Sequence, residues 1–163
     1  MILFIIGIVL IAIAIATAVW WYFVMPGALF GRACNPPLPR ETITVGATTF
    51  DVEMATTMAE QACGLSGREG LADNQGMIFL FGSGSTQTFW MKDMNFAIDM
   101  IWISDGRVVG FAQNAPPPAP GTALWQLQLY SSPPDVDTVL EVAAGTVARD
   151  NIQIGDAVSG AGQ

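Results

Sequence analysis

The residues best suited to chemistry lie in one stretch, Phe89-Trp90-Met91-Lys92-Asp93-Met94, which continues to Asp99. In an apolar neighbourhood a lysine and an aspartate either pair or shift towards neutrality. One interpretation is a cleft lined by Trp90, with Lys92 and Asp99 as its polar groups. The alternative is structural, with Lys92 and Asp99 forming an ion pair that holds two strands in register. Both interpretations stay open at this point.

A second candidate is Arg68, which follows the glycine-containing run Gly64-Leu65-Ser66-Gly67. The planar fork of a loop arginine can bind a carboxylate or a phosphate, so Arg68 could act as an anion clamp beside Trp90 and Lys92. It could equally brace its own loop by donating to backbone carbonyls. The candidate binding residues are therefore Arg68, Trp90, Lys92 and Asp99, and only Asp99 is a candidate for catalysis.

The composition excludes several kinds of site. The chain has no histidine, which removes Ser-His and Cys-His nucleophile pairs and ordinary zinc sites. No cofactor or metal site is expected. Cys34 lies in a predicted linker and Cys63 in a predicted helix, so we expect two lone thiols rather than a disulfide. From Thr42 onward four basic side chains face thirteen acidic ones, a net charge of −9, which makes nucleic acid an unsuitable partner.

The N-terminal residues form a long apolar stretch, without a charge from residue 2 to residue 25. At about 1.5 Å per residue, a helix of this length spans the roughly 30 Å hydrocarbon core of a bilayer. We expect a single-pass transmembrane anchor over residues 1–25, in contact with the lipid bilayer through residues 2–25. A cleaved signal peptide, or a lipoprotein acylated at Cys34, fits the flanking residues less well. The following domain is expected outside the cytoplasm, although Arg32 and Arg40 favour the opposite orientation.

The chain beyond the anchor divides into a Pro-rich linker over residues 26–41, one domain over residues 42–159 and a tail over residues 160–163. Short apolar runs separated by Gly and Pro predict seven to nine strands. These include 42–45, 49–53, 77–81, 88–91, 98–103, 107–111, 124–130 and 139–142, with a helix opened by a capping box at Thr57 and Glu60 and one or two helical turns over 143–150. The predicted fold is mainly β (β-rich α+β), a small barrel-like or folded-over antiparallel sheet with one or two short helices, behind a single N-terminal transmembrane helix.

The order of these motifs resembles the bacterial and archaeal family named domain of unknown function 192. The resemblance spans about residues 48–158 and rests on several blocks of sequence. They are Gly64-Leu65 with Arg68-Glu69, Gly76-Met77-Ile78-Phe79-Leu80-Phe81, Phe89-Trp90-Met91-Lys92 with Asp99, Asp105-Gly106-Arg107, Ala115-Pro116-Pro117, Val139-Leu140-Glu141-Val142 and Ile154-Gly155-Asp156. It implies a small β-rich, barrel-like domain, often behind a signal or membrane anchor, and it supplies no activity.

Two functions are consistent with these observations. The first is a non-catalytic, membrane-anchored envelope module that binds a small ligand or an envelope protein through the face near Arg68, Trp90 and Lys92. The alternative is an envelope hydrolase or lyase, in which Asp99 is the general base and Lys92 or Arg68 stabilises developing charge. An enzyme requires these groups to converge in one cleft, whereas a binding module requires only an accessible surface or cavity.

Overall fold

The computed structural model describes Cys34 and residues 37–160. The predicted anchor over residues 1–25, most of the linker and the last three residues of the tail lie outside the described residues. Within the described part of the chain, no helix is long and apolar enough to cross a membrane.

The domain is mainly β, as the sequence predicts, with two short α-helices among residues 37–160. Its strands are β1 (Arg40–Val45), β2 (Thr48–Ala55), β3 (Gln75–Ser85), β4 (Thr88–Trp90), β5 (Ile98–Ser104), β6 (Arg107–Ala115), β7 (Leu129–Ser131), β8 (Val136–Ala143) and β9 (Val158–Ser159). The helices are α1 (Met58–Cys63) and α2 (Thr146–Arg149), and a 3-10 helix spans Leu124–Gln126.

Seven strands form one mixed sheet in the order β6-β5-β8-β3-β2-β1-β9, which curls into a half-barrel, and β4 pairs with β7 as a separate ribbon. The pairing of β2 with β3 is parallel, from Asp51 opposite Gln75 to Ala55 opposite Phe79, and the other strand pairs are antiparallel. The prediction of an antiparallel sheet is therefore wrong for this pair. Residues 56–74, which include α1, are long enough to form the crossover that a parallel pair requires.

Successive side chains of a strand point to opposite faces of a sheet, and here each face has its own hydrophobic core. One face, called the α2 face, packs Ile78, Ile101 and Leu140 against Val147 of α2. The opposite face, called the α1 face, packs Met77 and Met100 together with side chains from the loops that follow α1 and β4. The two faces therefore offer separate places for a functional site.

Local sequence signals account for several boundaries. Asp105 and Gly106 both have positive φ angles, of 49° and 67°, and they join Ser104 to Arg107 in a two-residue hairpin between β5 and β6. This conformation suits Asp-Gly, because glycine lacks a Cβ and aspartate tolerates the left-handed region. The hairpin prediction is confirmed.

The predicted strand over residues 124–130 is wrong in its first half. Leu124–Gln126 forms a 3-10 helix, and the strand begins only at Leu129. Alternation along this stretch predicts a half-buried strand with its large side chains on the inner face, yet Trp125 is 87% exposed and Leu129 is 60% exposed. The backbone N–H groups of Gln126 and Leu127 donate to the carbonyls of Ala123 and Leu124, at 2.9 Å and 3.3 Å, so this segment closes a local turn instead of pairing with a strand.

Candidate functional site

A cavity of about 240 Å³ lies on the α1 face of the sheet. Its base is formed by Phe79 of β3, Ile98 of β5 and Glu141 of β8. These three share a face because Phe79 pairs with the residue two before Glu141, and Ile98 pairs with the residue two after it. The described residues that line the cavity are Gln61, Ala62, Cys63, Gly64, Leu65, Ser66, Phe79, Phe81, Gln87, Thr88, Phe89, Trp90, Met94, Ile98 and Glu141. The lining thus combines apolar and aromatic side chains with five polar ones, Gln61, Ser66, Gln87, Thr88 and Glu141. Small-molecule sites likewise join apolar walls to polar groups that orient the ligand.

The end of α1 and the loop that follows it form one wall of the cavity. The helix begins at a capping box, as predicted, in which Thr57 Oγ1 accepts from the Glu60 backbone N–H at 3.3 Å. The Glu60 carboxylate in turn accepts from the Thr57 backbone N–H at 2.8 Å. Gln61 Nε2 donates to the Leu80 carbonyl at 2.8 Å and so ties the helix to β3. These contacts place residues 61–66 over the α1 face.

Cys63, at the end of α1, forms a disulfide with Cys34, and their Cα atoms are 5.2 Å apart. The prediction of two lone thiols is therefore wrong. The sequence separation of 29 residues gave no sign of the pairing, because the approach of Cys34 to Cys63 depends on the tertiary fold. The bond fixes the segment that precedes β1 to the wall of the cavity.

Glu141 is the one ionisable side chain among the described residues that line the cavity. It is only 5% exposed, and no hydrogen bond or ion pair within residues 37–160 reaches its carboxyl group. Burial raises the pKa of Glu141 to about 8, and the more distant charge of Arg68 lowers it only partly. Glu141 therefore presents a carboxyl group that stays protonated at neutral pH and has unused hydrogen-bonding capacity.

Arg68 binds Glu53 on the same face of the sheet through two parallel hydrogen bonds, Nη1 to Oε1 at 2.8 Å and Nη2 to Oε2 at 2.7 Å. The hydrogen bond from Arg68 holds the pKa of Glu53 below its ordinary value, despite the opposing effect of burial. Arg40 also contacts Glu53, at 3.2 Å. This geometry is a fork-to-carboxylate pair, so the guanidinium clamps a residue of the protein itself.

Of the other predicted site residues, Trp90 lines the cavity and Lys92 does not. Trp90 lines it and is 48% exposed, so its indole forms part of the rim. Lys92 is absent from the described lining, and its ammonium group contacts the Asp93 carboxylate at the surface. The Lys92 carbonyl accepts from Ser66 Oγ at 2.9 Å, which joins the loop after α1 to the turn after β4.

Asp99 lies elsewhere, on the α2 face, and is completely buried. Its carboxylate accepts from the backbone N–H of Asn114 at 2.7 Å and from that of Val147, in the first turn of α2, at 2.9 Å. The proposed Lys92–Asp99 ion pair is therefore wrong. Asp99 holds α2 and β6 in place, and it does not open onto the cavity.

Sequence reasoning did not select Glu141 as a site residue. The signal was present, since a single charged residue interrupts the apolar run Val139-Leu140-Glu141-Val142 of β8. A charged residue inside such a run is either paired or shifted towards neutrality. Within the part of the chain that the structure describes, no three His, Cys, Asp or Glu side chains lie close enough to hold a metal ion.

Comparisons with known proteins identify the domain at the level of its family. Residues 41–160 match domain of unknown function 192 (DUF192), described as "Uncharacterized ACR". A protein of unknown function from Novosphingobium aromaticivorans DSM 12444 has a similar structure, with 34% identity, a TM-score of 0.69, and 78% of this chain and 91% of that one covered. The chain matches none of the curated proteins.

A second similar structure is that of a proposed transcription regulator from Sinorhizobium meliloti 1021. It is 30% identical, with a TM-score of 0.70, and the match covers 79% of this chain and 99% of that one. Both structures cover the described domain nearly from end to end, and the family match extends over 120 residues of it. The chain therefore belongs to the DUF192 family.

Proposed function

We propose that this protein is a membrane-tethered envelope domain that binds a small ligand in the cavity on the α1 face, without catalysing a reaction. The observation that carries the proposal is the combination of an aromatic-lined cavity with the buried carboxyl group of Glu141. Trp90 lies at the rim of the cavity, and Arg68, which pairs with Glu53 on the same face of the sheet, acts on Glu141 through its charge. Lys92 lies at the surface near the rim, and Asp99 has a structural role on the other face.

The tether is proposed from the apolar run over residues 2–25, which is long enough for one membrane span. The disulfide between Cys34 and Cys63 supports a location outside the cytoplasm, because disulfides persist in oxidising compartments such as the periplasm. A single-pass anchor with the domain on the outer side accommodates both features. The lipid bilayer is then one partner and the cavity ligand the other.

The enzyme alternative receives less support from the site. A general base must reach the proton it removes, but Asp99 is fully buried and both of its carboxylate oxygens accept backbone hydrogen bonds. The regulator role proposed for the Sinorhizobium meliloti protein also fits this chain poorly. The domain's net charge of −9 opposes binding to the phosphates of DNA.

Methyl NMR spectroscopy of the full chain in lipid nanodiscs would test the proposal. The methyl groups of Met94 and Ile98 line the cavity, whereas Met58 is 87% exposed and lies outside the described lining, so it serves as an internal control. The probes are benzyl alcohol, benzoate and benzylammonium, which share a ring and differ in charge. We expect at least one of them to shift the Met94 and Ile98 signals saturably while the Met58 signal stays constant.

A matched pair of variants locates the binding. Trp90→Ala removes the rim and should weaken binding about tenfold, because a large aromatic contact is lost. Trp125→Ala removes an indole that is more exposed and is not part of the described lining, so it should leave binding unchanged. The proposal is wrong if no probe perturbs Met94 and Ile98, or if both variants bind as tightly as the wild type.

A further inference from the structure

We infer that the cavity on the α1 face is a site for an organic ammonium ion, whose body packs against Phe79, Phe89 and Trp90 while its positive charge pairs with Glu141. This inference deepens the proposed function and rests on it, since it names the chemical class of the cavity's ligand. It is carried by the lining of the cavity, by the partners of the neighbouring cations and by the charge of the domain.

The first step concerns the carboxyl group of Glu141. It is 95% buried, faces the cavity from β8, and takes part in no hydrogen bond within residues 37–160. An ionised carboxylate in such surroundings is costly unless a cation accompanies it. A ligand that carries its own positive charge supplies that partner.

The second step concerns the aromatic walls, which consist of Phe79, Phe81, Phe89 and Trp90. The rings of Phe79 and Phe89 are nearly perpendicular, at 87°, with centroids 5.1 Å apart, and those of Phe81 and Phe89 meet at 89°. Perpendicular rings present their negative faces in more than one direction. These rings line the same cavity as the buried acid, and the negative faces of aromatic rings attract ammonium ions.

The third step excludes an anion. Both terminal nitrogens of Arg68 bind Glu53, and the ammonium group of Lys92 contacts Asp93, so the two nearest predicted anion-binding groups are directed at the protein's own carboxylates. An anionic ligand would also meet Glu141. The net charge of −9 concentrates cations around the domain and repels anions.

The fourth step is the proton balance. Burial raises the pKa of Glu141 to about 8, so the empty cavity holds a neutral carboxylic acid at pH 7. Entry of an ammonium ion favours the carboxylate, and the acid then releases one proton to solvent while the ligand keeps its own. The affinity should therefore rise with pH, by up to about tenfold per pH unit below that pKa.

The test compares choline with its uncharged carbon analogue, 3,3-dimethylbutan-1-ol. The full chain is placed in phosphatidylglycerol nanodiscs, because that lipid has no ammonium group. We expect choline to bind at pH 8 at least tenfold more tightly than the analogue, as measured by the methyl signals of Met94 and Ile98. Calorimetry of the wild type at pH 7 in two buffers of different ionisation enthalpy should show release of close to one proton per choline.

Two variants test whether Glu141 provides the preference for a cation, and a change of lipid tests the source of the ammonium group. Glu141→Gln should remove the preference for choline, whereas Glu69→Gln, at an exposed position of the loop after α1, should keep it. Proton release is measured on the wild type, so this result does not depend on how a variant folds. In nanodiscs that contain phosphatidylethanolamine, weaker choline binding would identify the lipid headgroup as the ammonium source, and unchanged binding would identify a free amine.

The outcomes separate the two proposals. If the uncharged analogue binds as tightly as choline, or if choline releases no proton, the ammonium inference is wrong while ligand binding in the cavity stands. If neither compound perturbs Met94 and Ile98, and the three aromatic probes also fail, then the proposed function is wrong as well.

Discussion

Asp99 and Glu141 lie on adjacent antiparallel strands, one residue out of register, and their side chains point to opposite faces of the sheet. Asp99 pairs with Val142, and Glu141 pairs with Met100. Both carboxyl groups are buried, but only that of Asp99 is satisfied by backbone N–H groups within the described residues. A single step in register therefore separates a structural carboxylate from one that faces a cavity.

The structural role of Asp99 predicts a large loss of stability on its removal. Asp99→Ala leaves the buried N–H group of Val147 and the partly buried N–H group of Asn114 without acceptors, at about 1–3 kcal/mol each. We expect the free energy of unfolding, measured by urea denaturation, to fall by about 2–6 kcal/mol. Asp73→Ala removes a carboxylate that is 87% exposed and should change it by about 0.5 kcal/mol or less. Equal effects of the two substitutions would contradict the assignment.

Glu141 predicts a different signature, a stability that depends on pH near neutrality. Its pKa is about 8 in the folded protein and near 4.5 in the unfolded chain, so the folded state binds the proton more tightly. Stability should therefore fall as the pH rises from about 4.5 to 8, by roughly 1 kcal/mol per pH unit, and level off above 8. Urea denaturation at a series of pH values measures this slope.

Histidine is the side chain that ordinarily titrates between pH 5 and 8, and the chain contains none, so it adds no pH dependence of its own to this measurement. Glu141→Gln should abolish the decline between pH 5 and 8 and should make the protein more stable than the wild type at pH 8. Glu69→Gln should retain the decline. If Glu141→Gln shows the wild-type slope, the carboxyl group does not keep its proton in the folded protein.

The sequence predicted most of the strands, the helix cap at Thr57 and the Asp-Gly hairpin, because these depend on patterns among residues close together in the chain. It could not predict which face of the sheet Asp99 would occupy, since register depends on the pairing of β5 with β8. The ion pair between Arg68 and Glu53 could not be predicted for a similar reason, because it depends on the parallel crossover between β2 and β3. Contacts between residues far apart in the chain therefore determine which face of the sheet each of these side chains occupies.

Arg68 should influence the titration of Glu141 from a distance. Its positive charge lowers the pKa of Glu141, so Arg68→Met should move that pKa above its wild-type value. Carboxyl-carbon NMR of ¹³C-labelled glutamate measures the midpoint directly. Arg107→Met removes a guanidinium that contacts the Gly155 carbonyl instead, and it should leave the midpoint unchanged.

Arg68→Met should also lower the stability of the fold, because it leaves Glu53 without its two strongest hydrogen bonds. The pair is partly buried, with side-chain exposures of 18% and 13%, so we expect a loss of about 1–3 kcal/mol, between the values for surface and buried pairs. A Glu141 midpoint that falls or stays constant in Arg68→Met would show that the two groups do not interact.

The disulfide between Cys34 and Cys63 predicts both the thiol content of the protein and a contribution to its stability. Cys34 and Cys63 are the only cysteines of the chain, so the oxidised protein should contain no free thiol and should gain two on reduction under denaturing conditions. Replacing both by serine frees a loop of 29 residues in the unfolded state, which should lower the free energy of unfolding by about 3–4 kcal/mol. Dithiothreitol should destabilise the wild type by a similar amount and leave the double variant unaffected. Free thiols in the untreated protein, or equal responses to the reductant, would contradict the bond.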